Sequence, residues 1–188
     1  MTLDNHSVLV VTKDSKAASM MSAMLMPPLF EVEALADFNE ARRRSQERVY
    51  NIVIADYADG EGADFAIDAS DSLSAILLLT PPSLFEEVSY RVEGYGIITI
   101  TNPFDQFYFY NMIKVAIAVQ YKMRTLYSQT TKLKVKMEEI RLANRAKMLL
   151  MQNLKMTEQE AHRYIEKEAM DRGQKKTAVA ENIIKMYG

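Results

Sequence analysis

Between Phe104 and Arg172 the chain contains neither glycine nor proline. Those are the two residues that interrupt a helix most effectively, so nothing in this stretch supplies a flexible break. Met112, Ala116, Val119, Met123, Leu126, Thr130, Leu133, Met137 and Ile140 follow one another at alternating spacings of four and three. That repeat makes a narrow apolar seam along one helix, continued to a polar Asn144. At 1.5 Å per residue the seam alone is about 42 Å long. Its simplest use is a parallel two-stranded coiled coil, with Val119, Met123, Leu126, Leu133, Met137 and Ile140 as the dimer seam. The other use is a helix that folds back on its own chain. Lys122, Lys134, Lys136 and Arg141 flank the seam and repel across a dimer, so pairing should be favoured by salt or by an anion.

Upstream the pattern changes. Apolar runs at Val8–Val11, Glu31–Ala36, Ile52–Ala55, Ala75–Leu79 and Ile97–Thr101 alternate with helical patterns. Most are continuous stretches of β-branched residues or leucine, as expected of strands buried on both faces. Five such strands alternating with helices imply an α/β fold, a doubly wound parallel sheet of the flavodoxin-like type. Its functional crevice lies at the carboxyl ends of the strands, where Thr12, Lys13, Asp14, Asp56, Thr80 and Asn102 stand. A helix from Pro103 to residue 119 follows. It carries Phe107, Tyr108, Phe109 and Tyr110 in a row, so that one face covers the sheet and the rest is open to a regulatory protein partner.

Over roughly the first 120 residues this set resembles the receiver domain of two-component response regulators. The segment NIVIADY puts Asp56 at the phosphoacceptor position, ILLLT puts Thr80 at the switch hydroxyl, and TNPFD takes the place of a Lys-Pro-Phe-Asp turn. The departures matter as much. Thr12-Lys13 replaces the acidic pair after the first strand, with Asp14 one place later. Asn102 replaces the lysine that meets the phosphoryl group, and Thr99 replaces an aromatic switch residue. Phosphoryl transfer to a carboxylate needs a hard cation held by several oxygens. Lys13 is a candidate fixed charge in that cation's place. A Mg²⁺ site is open to this pocket only if Asp14 and Asp56 form it together; otherwise no metal or cofactor is expected. We therefore expect a pseudo-receiver, a domain that keeps the fold but not regulated phosphorylation.

The last stretch has its own local signals. Thr157 with Glu160 three residues on forms a capping box. Ala161, Tyr164, Ile165 and Ala169 make one apolar stripe, and Val179, Ile183, Ile184 and Tyr187 another. Gly173 suits the left-handed position after a helix end. Neither helix can bury its stripe alone, so a three-helix bundle is implied. The residues Ala146-Lys147, Leu150-Met151, Thr157-Glu158, Glu160-Ala161, Ala169-Met170, Arg172 and Ala180 resemble the ANTAR domain, an RNA-binding module of bacterial transcription antiterminators. The resemblance implies binding to paired RNA hairpins of a leader transcript. Lys147, Lys155, Arg163, Lys167, Arg172, Lys175 and Lys176 are the candidate RNA-binding residues, with His162 and Tyr164 as candidate stacking groups. The expected division is thus a degenerate receiver at 1–119, a coiled-coil linker helix at 120–145 and an ANTAR domain at 146–188.

Charge follows the same division. Residues 1–119 hold 8 Lys and Arg against 17 Asp and Glu, whereas residues 120–188 hold 15 against 8. An acidic body carrying a basic end points to a polyanion partner for that end. There is no cysteine, which excludes disulfides and thiolate metal sites. The two histidines, His6 and His162, are far apart in sequence. No leader or membrane-length apolar run is read, so a cytoplasmic protein is expected. Beyond Asp56 there is no nucleophile cluster or phosphate loop, and an enzyme is not expected. Three readings compete: a dimeric antiterminator, a phosphorylation-controlled regulator that binds duplex DNA through residues 174–187, and a protein-binding adaptor. Glu181 and the Ile183-Ile184 pair make 174–187 a poor reader of a DNA groove.

Overall fold

The computed structural model describes residues 5–188. The elements run β1 (His6–Val11), α1 (Ser15–Met24), β2 (Phe30–Leu35), α2 (Phe38–Glu47), β3 (Ile52–Asp56), α3 (Glu61–Ala69), β4 (Ala75–Thr80), α4 (Phe85–Val92), β5 (Ile98–Thr101), α5 (Gln106–Leu154), α6 (Glu158–Asp171) and α7 (Lys176–Tyr187). The chain divides into two compact units after Thr125, and α5 belongs in part to each.

In the first unit the five strands form one sheet in the order β2-β1-β3-β4-β5, all parallel. Because successive side chains point to opposite faces, an apolar run feeds two cores at once. Leu9, Val11, Val53, Ala55, Ile76 and Leu78 pack under α2, α3 and α4, with Phe38, Phe65 and Val88. Val8, Val10, Ile52, Ile54, Leu77 and Leu79 pack under α1 and α5, with Met21, Phe109, Ile113 and Ala116. This is the doubly wound arrangement expected from the unbroken apolar runs. The order also places β1 and β3 side by side at the point where the chain reverses direction across the sheet, which is where such folds form their crevice.

Helix α5 starts at Gln106, not at Pro103, because Asp105 caps it: its Oδ1 accepts the Tyr108 N–H at 3.0 Å. Its 49 residues run from the first unit into the second. Of the aromatic run, Phe109 is fully buried against the sheet while Phe107 is 74% exposed; Tyr108 and Tyr110 are half-covered. Ala116 is fully buried and Met112 packs on the same core. The first two seam positions are therefore consumed by the sheet, and the open seam begins at Val119. From Leu126 to Ile140 every residue is exposed. Val119, Leu126, Leu133, Met137 and Ile140 are 36, 48, 63, 70 and 52% exposed, whereas Met123 is half-covered.

The second unit is a three-helix bundle built from the end of α5 with α6 and α7. Its core is Ala146, Leu150, Ala161, Ile165, Ala169, Val179, Ala180 and Ile183. Thr157 and Glu160 form the capping box of α6 in both directions. At the other end Gly173 sits at φ +60°, where the Gly173 and Gln174 N–H groups donate to Met170 and Ala169 carbonyls. Both are devices that satisfy backbone groups orphaned at helix ends.

Three carboxylates tie the bundle together and are held below their ordinary values by what donates to them. The Thr157 N–H does this for Glu160, the Lys147 ammonium for Glu158 across the α5–α6 turn, and the Lys176 ammonium for Glu166 between α6 and α7. A carboxylate whose folded value is depressed stabilises the fold above its unfolded value and loses that contribution as pH falls through the folded one. The bundle should therefore keep full stability at neutral pH and weaken as pH drops below about 4.5. Chemical denaturation of the full chain followed by circular dichroism at pH 7, 5 and 3.5 would show this. In the same assay Leu150→Ala, which empties a fully buried site, should cost about 2–5 kcal/mol.

Candidate functional site

The crevice at the carboxyl ends of β1 and β3 is organised around Asp56. Thr12, almost fully buried, donates from Oγ1 to Asp56 Oδ2 at 3.2 Å and accepts the Asp14 N–H at 3.1 Å. The other carboxylate oxygen accepts the Tyr57 N–H at 3.1 Å. Asp14 itself turns away from Asp56: its Oδ1 accepts the Lys16 and Ala17 N–H groups at 2.8 and 3.3 Å and caps α1. Lys13 reaches not Asp56 but Glu61, at 2.7 Å. Its ammonium also lies 5.8 Å from the centre of the Phe38 ring, and the hydrogen bond to Glu61 raises its value. The Lys13–Glu61 pair thus links the β1–α1 loop to the start of α3.

That donor set does not fit a magnesium ion. A hard divalent cation takes most of its ligands from carboxylate and carbonyl oxygens, yet the second candidate carboxylate is spent on a helix cap. Among the described residues no cluster of three metal-ligating side chains occurs. On the far side of the crevice Thr80 is fully buried with its hydroxyl lacking a hydrogen-bond partner among the described residues. The Thr99 hydroxyl on β5 is in the same condition. Among the described residues Asn102 is fixed through its backbone, its N–H donating to the Thr80 carbonyl at 2.8 Å. Its neutral amide supplies no counter-charge.

The loop from β3 to α3 is built tightly around this point. Ala58, Asp59 and Gly60 have φ of 44, 55 and 100° in succession. This left-handed backbone costs non-glycine residues about 1–2 kcal/mol each. A Cβ at Gly62 would overlap the Asp56 carbonyl oxygen, so only glycine lets α3 begin where it does. Neither Glu61 nor Gly62 was singled out by sequence reasoning. The pair of glycines two apart was visible, but its meaning depends on the neighbouring strand end.

In the C-terminal unit the candidate RNA-binding residues fall into two sets. Lys147 pairs with Glu158 at 2.7 Å, Arg172 with Glu168 at 2.7 Å and Lys176 with Glu166 at 2.5 Å. The Lys147 side chain is only 17% exposed; Lys147 and Lys176 link neighbouring helices, Arg172 pairs within the end of α6, and all three have their charge locally matched. Lys155, Arg163, Lys167 and Lys175 have no ion pair among the described residues and are all exposed. Arg163 and Lys167 lie one turn apart on α6, on the side opposite its buried Ala161, Ile165 and Ala169. Lys155 occupies the α5–α6 turn at φ +56°, and Lys175 leads into α7. His162 lies 3.4 Å from Glu166. Tyr164 is 36% exposed and lines a small groove with Arg172, Asn182 and Tyr187. The Arg172–Glu168 pair follows from i,i+4 spacing; the Lys147–Glu158 and Lys176–Glu166 pairs cross between helices and leave no local trace.

Comparison with known proteins agrees with both units. Residues 131–184 match the ANTAR domain family. No curated protein matches the chain. Among solved structures, a CheY-like response regulator receiver domain protein from Methanospirillum hungatei is 20% identical, with a TM-score of 0.58 over 63% of this chain and 98% of its own. The signal receiver domain of an HD domain-containing protein from Pseudomonas fluorescens is 17% identical, with a TM-score of 0.59 over 66% and 96%. The chemotaxis protein CheY4 of Vibrio cholerae is 22% identical, with a TM-score of 0.53 over 60% and 99%. Similarity at this level establishes the fold of the N-terminal unit. The chain joins a receiver-like fold to a C-terminal segment, residues 131–184, that matches the ANTAR domain family.

Proposed function

We propose that the protein is a dimeric RNA-binding regulator of transcription antitermination, acting in the cytoplasm, whose receiver unit does not run on magnesium-dependent phosphorylation. The observation that carries the RNA reading is the match of residues 131–184 to the ANTAR domain with four exposed cations, Lys155, Arg163, Lys167 and Lys175, that form no ion pair among the described residues. RNA loops offer phosphates, 2′-hydroxyls and splayed bases, and such cations meet the first two directly. The exposed seam from Val119 to Ile140 supports pairing of two copies, which presents two modules to two hairpins and raises avidity through effective concentration.

The receiver reading rests on the donor set around Asp56. Asp14 caps a helix, Lys13 is held by Glu61 and Asn102 is neutral, so neither the incoming phosphoryl group nor its counter-ion finds the charges it requires. The unit then serves as a folded platform for α5 and as a docking surface for a regulatory protein, with Phe107 on the exposed side of that helix. The role is regulatory rather than catalytic.

Two measurements test these statements. Crosslinking to cellular RNA followed by sequencing should recover leader transcripts that fold into hairpins. In titrations, hairpin RNA should bind in preference to duplex DNA, with affinity falling steeply as salt rises. The combined Lys155→Gln, Arg163→Gln and Lys167→Gln variant should lower the logarithmic salt slope by about 2 per chain. Equal affinity for the two nucleic acids, or none, would count against the RNA reading. Treatment with a small-molecule phosphodonor and Mg²⁺, read by intact mass, should leave the chain unmodified. A stoichiometric adduct that disappears in Asp56→Asn would overturn the pseudo-receiver statement.

A further inference from the structure

The stretch of α5 from Tyr121 to Met137 combines two features that oppose each other. Leu126, Leu133 and Met137 leave an apolar seam 48, 63 and 70% exposed, which favours pairing with another apolar surface. Beside them stand Lys122, Arg124, Lys132, Lys134 and Lys136, without a carboxylate between Tyr121 and Met137 and without an ion pair among the described residues. Lys122 and Lys136 directly precede the seam residues Met123 and Met137, and Lys134 directly follows Leu133. All three therefore border the seam. In a parallel pair of such helices Lys136 of one copy faces Arg141 of the other, a like-charge contact on each side. The seam draws two copies together while its margins push them apart.

A linear polyanion along the margin resolves that conflict. Lys122 and Lys136 are about 21 Å apart along the helix at 1.5 Å per residue, long enough to meet several successive phosphates of a nucleic-acid backbone. The surface is also continuous with the ANTAR domain, whose match begins at residue 131 on the same helix. We propose that the α5 stretch Tyr121–Met137 is a second RNA-contact surface, distinct from the cations of α6 and its flanking turns. RNA phosphates lie between the flanking lysines of two paired copies, so that RNA binding and dimerisation reinforce each other. Tyr121 and Tyr127, 71 and 60% exposed, are the stacking groups available on this surface. The inference rests on the RNA-binding reading given above.

Its test uses the full chain, a labelled RNA of two tandem stem-loops, and a variant with Lys122, Lys134 and Lys136 changed to Gln. Sedimentation velocity without RNA should show the variant pairing about threefold more tightly than the original chain, because like-charge repulsion has been removed. With RNA the order should reverse: the original chain pairs more tightly and the variant gains little. The salt slope of RNA binding should fall by about 2 to 4 for the three cations of each copy. A variant that binds this RNA with unchanged slope, and pairs equally with and without it, overturns the inference while leaving the RNA reading intact. If the original chain binds no RNA, the RNA reading itself fails. If polyglutamate at equal charge concentration tightens pairing as RNA does, the surface is a general polyanion site and the assignment to RNA is wrong. Circular dichroism of the variant distinguishes lost helix from lost charge.

Discussion

The backbone hydrogen-bond ladder of α5 is the interaction on which the rest of the molecule depends. Beyond its capped first turn, the N–H groups of Gln106–Leu154 reach back four residues to a carbonyl, and no glycine or proline interrupts the series. Once that ladder is continuous, helical phase alone decides which side chains share a face. Phe109, Ile113 and Ala116 are thereby given to the sheet, and Ala146 and Leu150 to the three-helix bundle. Between them the helix has no core to serve, and its apolar residues stand in water. One element therefore closes the sheet core, carries the seam and opens the bundle.

Electrostatics divides the labour among residues that look alike in composition. In the bundle, Glu158, Glu166 and Glu168 neutralise Lys147, Lys176 and Arg172, turning three cations into connectors between or within helices. Exposed pairs of this kind add little stability each, but they set which cations remain unmatched. In the receiver unit the same logic converts the crevice. Lys13 is bound by Glu61 and Asp14 by backbone N–H groups, while Asp56 accepts from the Thr12 hydroxyl and the Tyr57 N–H.

The architecture was legible because its signals are local. Strand-like runs, most of them β-branched residues and leucine, mark all five strands to within two residues at each end. Thr157 with Glu160, and Gly173, marked both ends of α6. Strand–helix alternation implied a parallel sheet, since parallel strands need crossovers. The start of α5 was placed three residues early because Pro103 is a common helix opener, whereas here the Asp105 carboxylate supplies the cap. The four-three repeat extends back to Met112 and Ala116, which lie on the sheet core, since a small apolar residue suits a sheet contact as well as a coiled coil; the expected dimer seam begins beyond them at Val119.

The sequence by itself determined the order of elements, the absence of a linker, the acidic and basic halves, and the residue types in the crevice. All of these depend on composition or on neighbours within a few positions. Only the tertiary structure decided which charges are free and which are matched. Lys13 meets Glu61 from 48 residues away, and Lys147 meets Glu158 across a turn whose geometry is set by Lys155 at positive φ. It likewise decided that Gly62 is required by the Asp56 carbonyl. The physical reason is that hydrogen bonds and ion pairs form only over about 3 to 4 Å. Folding, not spacing along the chain, determines which distant groups come that close.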